Sequence, residues 1–215
     1  MKPNFNLIAF LFLCTVLSCK NETALSEYKF SDQEAVLNCE GQDSKLLNEA
    51  LYAFEGDLKT FFKNNYTRNG DLYMFYSQFI PRDVKGMVPY EELMTPHTLE
   101  VFNVLKTKKD LWNPENTVSK LNYNSSFFNC IATNVQDKDL KTTLNALLAT
   151  HSMSPRLFTA PLITQYRKVA DDPYLRAYVA FDLFYAKLFD IDATKIKERE
   201  NVDSSLNLKV PNTEK

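Results

Sequence analysis

The sequence predicts an all-α fold, a single helical-bundle-like domain of about seven helices. Three observations carry this prediction. Apolar residues recur at i, i+3, i+4 and i+7 over several long stretches. Glycine occurs only four times in 215 residues, which disfavours β architectures built on glycine turns. Thr95-Pro96, Ser154-Pro155 and Asp172-Pro173 each set a capping side chain before a proline at the first helical position.

Residues 43–64 carry the clearest stripe, with Leu46, Leu47, Ala50, Leu51, Phe54, Leu58, Phe61 and Phe62 on one face. Asp43 or Ser44 caps it, and Asn69-Gly70 turns the chain. Residues 72–80 are dense in apolar and aromatic side chains and read as a short buried helix, with a strand as the alternative. Pro81 is expected to end that element. From Thr95 a helix is expected to run to residue 109, with Leu99, Phe102 and Leu105 inward. Residues 118–135 read as a further helix, weakened at its start by Asn122, Asn124 and Ser125. Residues 137–150 form a cleaner one. A helix over 154–169 contains Pro161, expected to kink or split it. The last strong helix is expected over 172–189, on a stripe rich in Tyr and Phe. Residues 34–191 then make one domain of ordinary size for a single core, and 192–215 read as a polar C-terminal tail.

Apolar residues are 45% and charged residues 24% of the chain, a composition that folds rather than remains disordered. The net charge is -2, which gives no general attraction to nucleic acid. No two glycines make a GxG, so the dinucleotide fingerprint and the Walker A loop are absent. HExxH, GxSxG, CxxC and the EF-hand loop are absent too.

The N-terminus reads as an address. Lys2 precedes an apolar run over 7–17, too short to cross a bilayer and suited to a signal sequence. Val16-Leu17-Ser18-Cys19 resembles the lipobox of bacterial lipoproteins. The resemblance implies cleavage after Ser18, giving a signal peptide over 1–18, and diacylglycerol on Cys19. Residues 19–33 would then be a lipidated tether, and the implied partner of Cys19 is the membrane. In that family Asp after the lipidated Cys retains the protein in the inner membrane. Lys20 therefore implies an outer-membrane location in the cell envelope, and a lone Glu22 leaves the periplasmic and surface faces both open. The sequons at Asn21, Asn65 and Asn124 carry little weight beside a bacterial lipobox.

Once Cys14 leaves and Cys19 is acylated, Cys39 and Cys130 remain in an oxidising compartment and are expected to pair. The alternative is two buried free thiols.

Candidate chemistry is sparse. His97-Thr98-Leu99-Glu100 sets His97 and Glu100 on one helical face as half of a metal site, or else as a surface histidine in a first turn. This HxxE resembles that of the imelysin-like periplasmic helical proteins, whose motif has glycine where Thr95 stands. His151 is the only other histidine. Glu55 and Asp182 each lie beside an aromatic stripe, where a carboxylate either acts as an acid or hydrogen-bonds a tyrosine. Tyr52, Tyr66, Tyr73, Tyr76, Tyr90 and Tyr123 either line a groove or fill an aromatic core.

These readings assign no catalytic residue, metal ligand or cofactor. They favour a lipid-anchored binding or interaction module whose ligand is an unidentified envelope protein or small molecule. The alternatives are a hydrolytic or metal-dependent enzyme, in which His97 or His151 meets a carboxylate, and an immunity or inhibitor lipoprotein with a strongly charged face.

Overall fold

The structure, a computed structural model, describes residues 24–66 and 71–196. The side chains of 64–66, the proposed signal sequence and Cys19 lie outside the described residues. Nine α-helical segments form one all-α domain without a sheet among the described residues. They are α1 (Ser44–Tyr66), α2 (Leu72–Val84), α3 (Tyr90–Leu93), α4 (Pro96–Leu105), α5 (Ser126–Asn134), α6 (Lys138–Ala149), α7 (Pro155–Leu162), α8 (Tyr166–Asp171) and α9 (Pro173–Tyr178). The chain continues from α9 through a π turn (Val179–Phe184) and a 3-10 turn (Tyr185–Asp190).

The expected stripe of α1 is its buried face: Leu46, Ala50, Leu51, Phe54 and Leu58 are almost wholly covered. This face packs on α2, α3, α4 and the π turn. Phe54 meets Phe79 of α2 at 5.2 Å and Phe184 of the π turn at 4.9 Å between ring centroids. The core is therefore aromatic at its centre, where edge-to-face and tilted rings add to simple burial. The capping residues act as the sequence requires. Thr95 accepts from Thr98 N, Ser154 from Leu157 N, and Asp172 from Tyr174 N and Leu175 N. Cys39 and Cys130 are joined, with their Cα atoms 5.7 Å apart.

Three elements differ from expectation, and a fourth, around Pro161, is split as expected. Pro81 lies inside α2, which runs on to Val84. Buried Phe79 and Ile80 hold this end of the helix in the core, and Arg82 Nη1 donates to Gln78 O at 2.7 Å. Only the last turn follows the proline, so its lost hydrogen bond costs little continuity. The helix expected from residue 118 begins at Ser126 instead. Asn116 Oδ1 takes Val118 N and Asn122 Oδ1 takes Asn124 N, so the side chains offer the backbone a non-helical alternative. Leu121 pairs there with Trp112 in an isolated antiparallel bridge. The helix from Thr95 ends at Leu105, whose carbonyl accepts Trp112 Nε1 at 2.8 Å. The stretch around Pro161 is split into α7 and α8, with Gln165 Nε2 donating to Pro161 O.

The packed body also begins before residue 34. Leu25 and Phe30 pack against the core, and the end of the Phe30 ring lies 3.3 Å from where a Cβ on Gly56 would stand. Residues 26–33 are thus docked on α1 and α4 rather than a free tether. At the other end Ile196 packs against the core, and residues 197–215 lie outside the described residues.

Candidate ligand cleft and the buried carboxylates

Among the described residues five carboxylates are buried: Glu49, Glu55, Asp57, Asp172 and Asp182. A buried charge has to be paired or hydrogen-bonded, and the partners show what each group does.

Glu49 of α1 meets His97, the second residue of α4, with Oε1 2.6 Å from Nε2. The same carboxylate accepts Lys29 N at 2.8 Å and Phe30 N at 3.0 Å. It therefore clasps the incoming chain to α1 and α4 together. Glu100 points elsewhere and accepts Ser26 N at 2.8 Å, and hydrogen bonds from the Ser26 side chain and then its backbone hold its carboxyl below the usual range. His97 and Glu100 are thus not two ligands of one site, and His97 is buried rather than a surface residue. Among the described residues no group of three or more His, Cys, Asp or Glu is placed to hold a metal ion. His151 follows the C-cap of α6 on the surface with φ +53°.

Glu55 receives Arg176 Nε at 2.6 Å and Nη2 at 2.9 Å, and Tyr76 OH donates to it at 2.8 Å. The paired Glu55 holds the guanidinium in its charged form against the burial that opposes it. Asp57 accepts Thr95 N, and Asp172 adds Gln136 N to its two capping bonds.

Asp182 is the buried carboxylate held by side-chain hydroxyls. It lies in the π turn at 0% exposure. Its donors are Ser119 Oγ and Tyr123 OH, with Tyr178 also hydrogen-bonded to it. Burial pushes its pKa up to about 6, against the lowering effect of those hydroxyls. The wider winding of a π turn also leaves carbonyls to be satisfied from outside, and Tyr90 OH donates to Leu183 O at 3.1 Å.

The tyrosines do not share a groove. Tyr52 donates to Glu34 O, Tyr76 to Glu55, Tyr90 to Asp83 and Leu183, and Tyr123 to Asp182, while Tyr73 lies under Arg167. Their hydroxyls tie separate parts of the body together. The side chain of Tyr66 lies outside the described residues.

A concavity with apolar surface lies elsewhere, between α4 and the 3-10 turn that follows the π turn. It is a cleft of about 220 Å³. Leu99, Phe102 and Lys106 share one face of α4 and its C-cap, and Leu188, Phe189 and Ile191 face them. Behind the cleft Phe102 and Trp112 each meet Phe189 edge-on at 5.2 Å. Leu188 and Phe189 reach the cleft from the 3-10 turn that follows the π turn. Neither histidine lines this cleft.

No family model, curated protein or solved structure matches this chain. The site is therefore read from its own chemistry. The sequence did not single out the cleft, because its walls come from segments about ninety positions apart and periodicity reports only one segment at a time.

Proposed function

We propose that this protein is a lipid-anchored binding module of the bacterial cell envelope, tethered through acylated Cys19 and receiving its ligand at the cleft between α4 and the 3-10 turn. The observation that carries the reading is the division of labour between polar and apolar groups. Each buried carboxylate is engaged in holding helices or backbone together, whereas the cleft offers unfilled apolar surface beside a lysine. Pockets that bind ligands are concave and largely apolar, with few polar groups to fix orientation. The Cys39–Cys130 bond supports placement in an oxidising compartment. No helix among the described residues is long and apolar enough to cross a membrane, so membrane attachment in this reading falls to Cys19.

Two experiments test the parts separately. Globomycin treatment is expected to accumulate the full-length precursor, and Cys19→Ala to abolish labelling by radioactive palmitate. Unchanged processing and labelling would remove the anchor. Capture of the tagged protein from solubilised envelopes is expected to retain a stoichiometric partner that Leu99→Trp releases. A partner indifferent to that substitution would move the binding site off the cleft.

A further inference from the structure

Lys106 stands seven residues after Leu99 and four after Phe102, on the face of α4 that walls the cleft. Its Nζ lies 4.9 Å from the centroid of the Phe102 ring. Lys108, Lys168 and Lys195 have acidic partners in Asp43, Asp137 and Asp192, but among the described residues Lys106 has none. A cation without a counterion thus sits at the lip of an apolar hollow.

The hollow sets the size of what fits. An apolar cavity of about 150 Å³ takes up benzene. At about 220 Å³, this one has room for a single ring with a short stem, or for a chain of about six carbons. The half-buried Leu99, Phe189 and Ile191 offer apolar surface to such a group, with the buried Phe102 ring packed edge-on against Phe189. The geometry points to this cleft as a binding site for a compact apolar carboxylate, its aryl or short alkyl body against Leu99 and Phe189 and its carboxylate at Lys106 Nζ. Charge complementarity selects the acid over a neutral isostere, and a volume of about 220 Å³ disfavours long acyl chains. The inference rests on the cleft being the working site of a binding module.

The test uses the lipidated full chain in lipid nanodiscs, with empty nanodiscs as the blank, because apolar acids also partition into bilayers. The probes are 3-(4-fluorophenyl)propionate and its amide, followed by fluorine NMR. The acid is expected to show saturable broadening beyond the blank, and the amide to bind about fivefold more weakly, as loss of one exposed ion pair requires. Lys106→Gln, at a surface position, is expected to equalise acid and amide. Leu99→Trp is expected to abolish both, with its fold checked by circular dichroism. No broadening beyond the blank, equal binding of acid and amide to the wild type, or an acid preference that survives Lys106→Gln would each overturn the proposal. If the acid fails while a captured partner still depends on Leu99, the ligand class is wrong and the binding module stands. If both fail, the cleft is not the working site.

Discussion

Arg176 and Glu55, 121 positions apart in sequence, meet in two parallel hydrogen bonds of 2.6 and 2.9 Å. The pair ties α9 to α1 at a place where Tyr76 of α2 also reaches in. Two-point contact between guanidinium and carboxylate fixes orientation as well as distance. Removing one partner strands the other charge in the interior. Arg176→Ala is therefore expected to lower unfolding stability by about 3–5 kcal/mol. The double substitution Glu55→Met, Arg176→Met is expected to cost less than the single one. Urea denaturation of the three chains checks both statements, and a smaller loss for the single change would show that the charge is not held dry.

Asp182 supplies a pH test with a definite sign. Its pKa rises on folding from 3.8 to about 6, so the folded chain binds the proton more tightly than the unfolded chain. Its contribution is fully present below about pH 3.8 and is lost as pH rises to about 6. The loss is on the order of 3 kcal/mol. Asp182→Asn removes this dependence while keeping an acceptor for Ser119 and Tyr123. The stability of the variant relative to wild type is expected to increase between pH 4 and pH 7 and then level off. A constant difference across that range would show that Asp182 titrates at its ordinary value.

Glu49 holds two backbone amides and one imidazole with a single carboxylate. Glu49→Ala leaves all three buried or half-buried without their acceptor, at about 1–3 kcal/mol for each unsatisfied group. The amides of Lys29 and Phe30 are expected to exchange hydrogen much faster in this variant, while those of α5 and α6 are unchanged. Protection that persists at Lys29 would show that Phe30 packing alone holds the segment.

The bond between Cys39 and Cys130 closes a loop of 91 positions. Reduction, or Cys39→Ala with Cys130→Ala, is expected to lower stability by about 4–5 kcal/mol in the chain-entropy account. Non-reducing peptide mapping is expected to find the two cysteines on one cross-linked species, and two alkylatable thiols in native protein would refute the bond.

Local signals proved legible where one segment carries its own information. Thr95, Ser154 and Asp172 cap their helices as their spacing from proline requires. The stripe from Leu46 to Leu58 is the buried face of α1. Pro81 misled because its effect depends on how much helix follows, and Arg82 and the buried Phe79 decide that. The Tyr and Phe stripe after Asp172 gave no hint of a π turn, since burial on every side erases periodicity. Glu55 and Asp182 stood out as carboxylates beside aromatic residues, and both hydrogen-bond tyrosines. Their remaining partners, Arg176 and Ser119, come from distant segments. Leu99 and Leu188 face each other for the same tertiary reason. His97 was conspicuous in sequence for the residue three places on, yet its partner is Glu49, 48 positions back.

The docking of residues 26–33 changes how an anchor at Cys19 would act on the domain. From Cys19 to Ser26 there are seven residues, a reach of at most about 25 Å when fully extended. A body leashed so closely cannot sweep the width of an envelope, and it meets partners within or beside its own membrane. A pull on a lipid at Cys19 would arrive first at Ser26 and Phe30, where Glu100 and Glu49 would bear it. The clasp would then be the first joint on the load path, the place where tension in such a leash would either pass into α1 and α4 or be released by peeling.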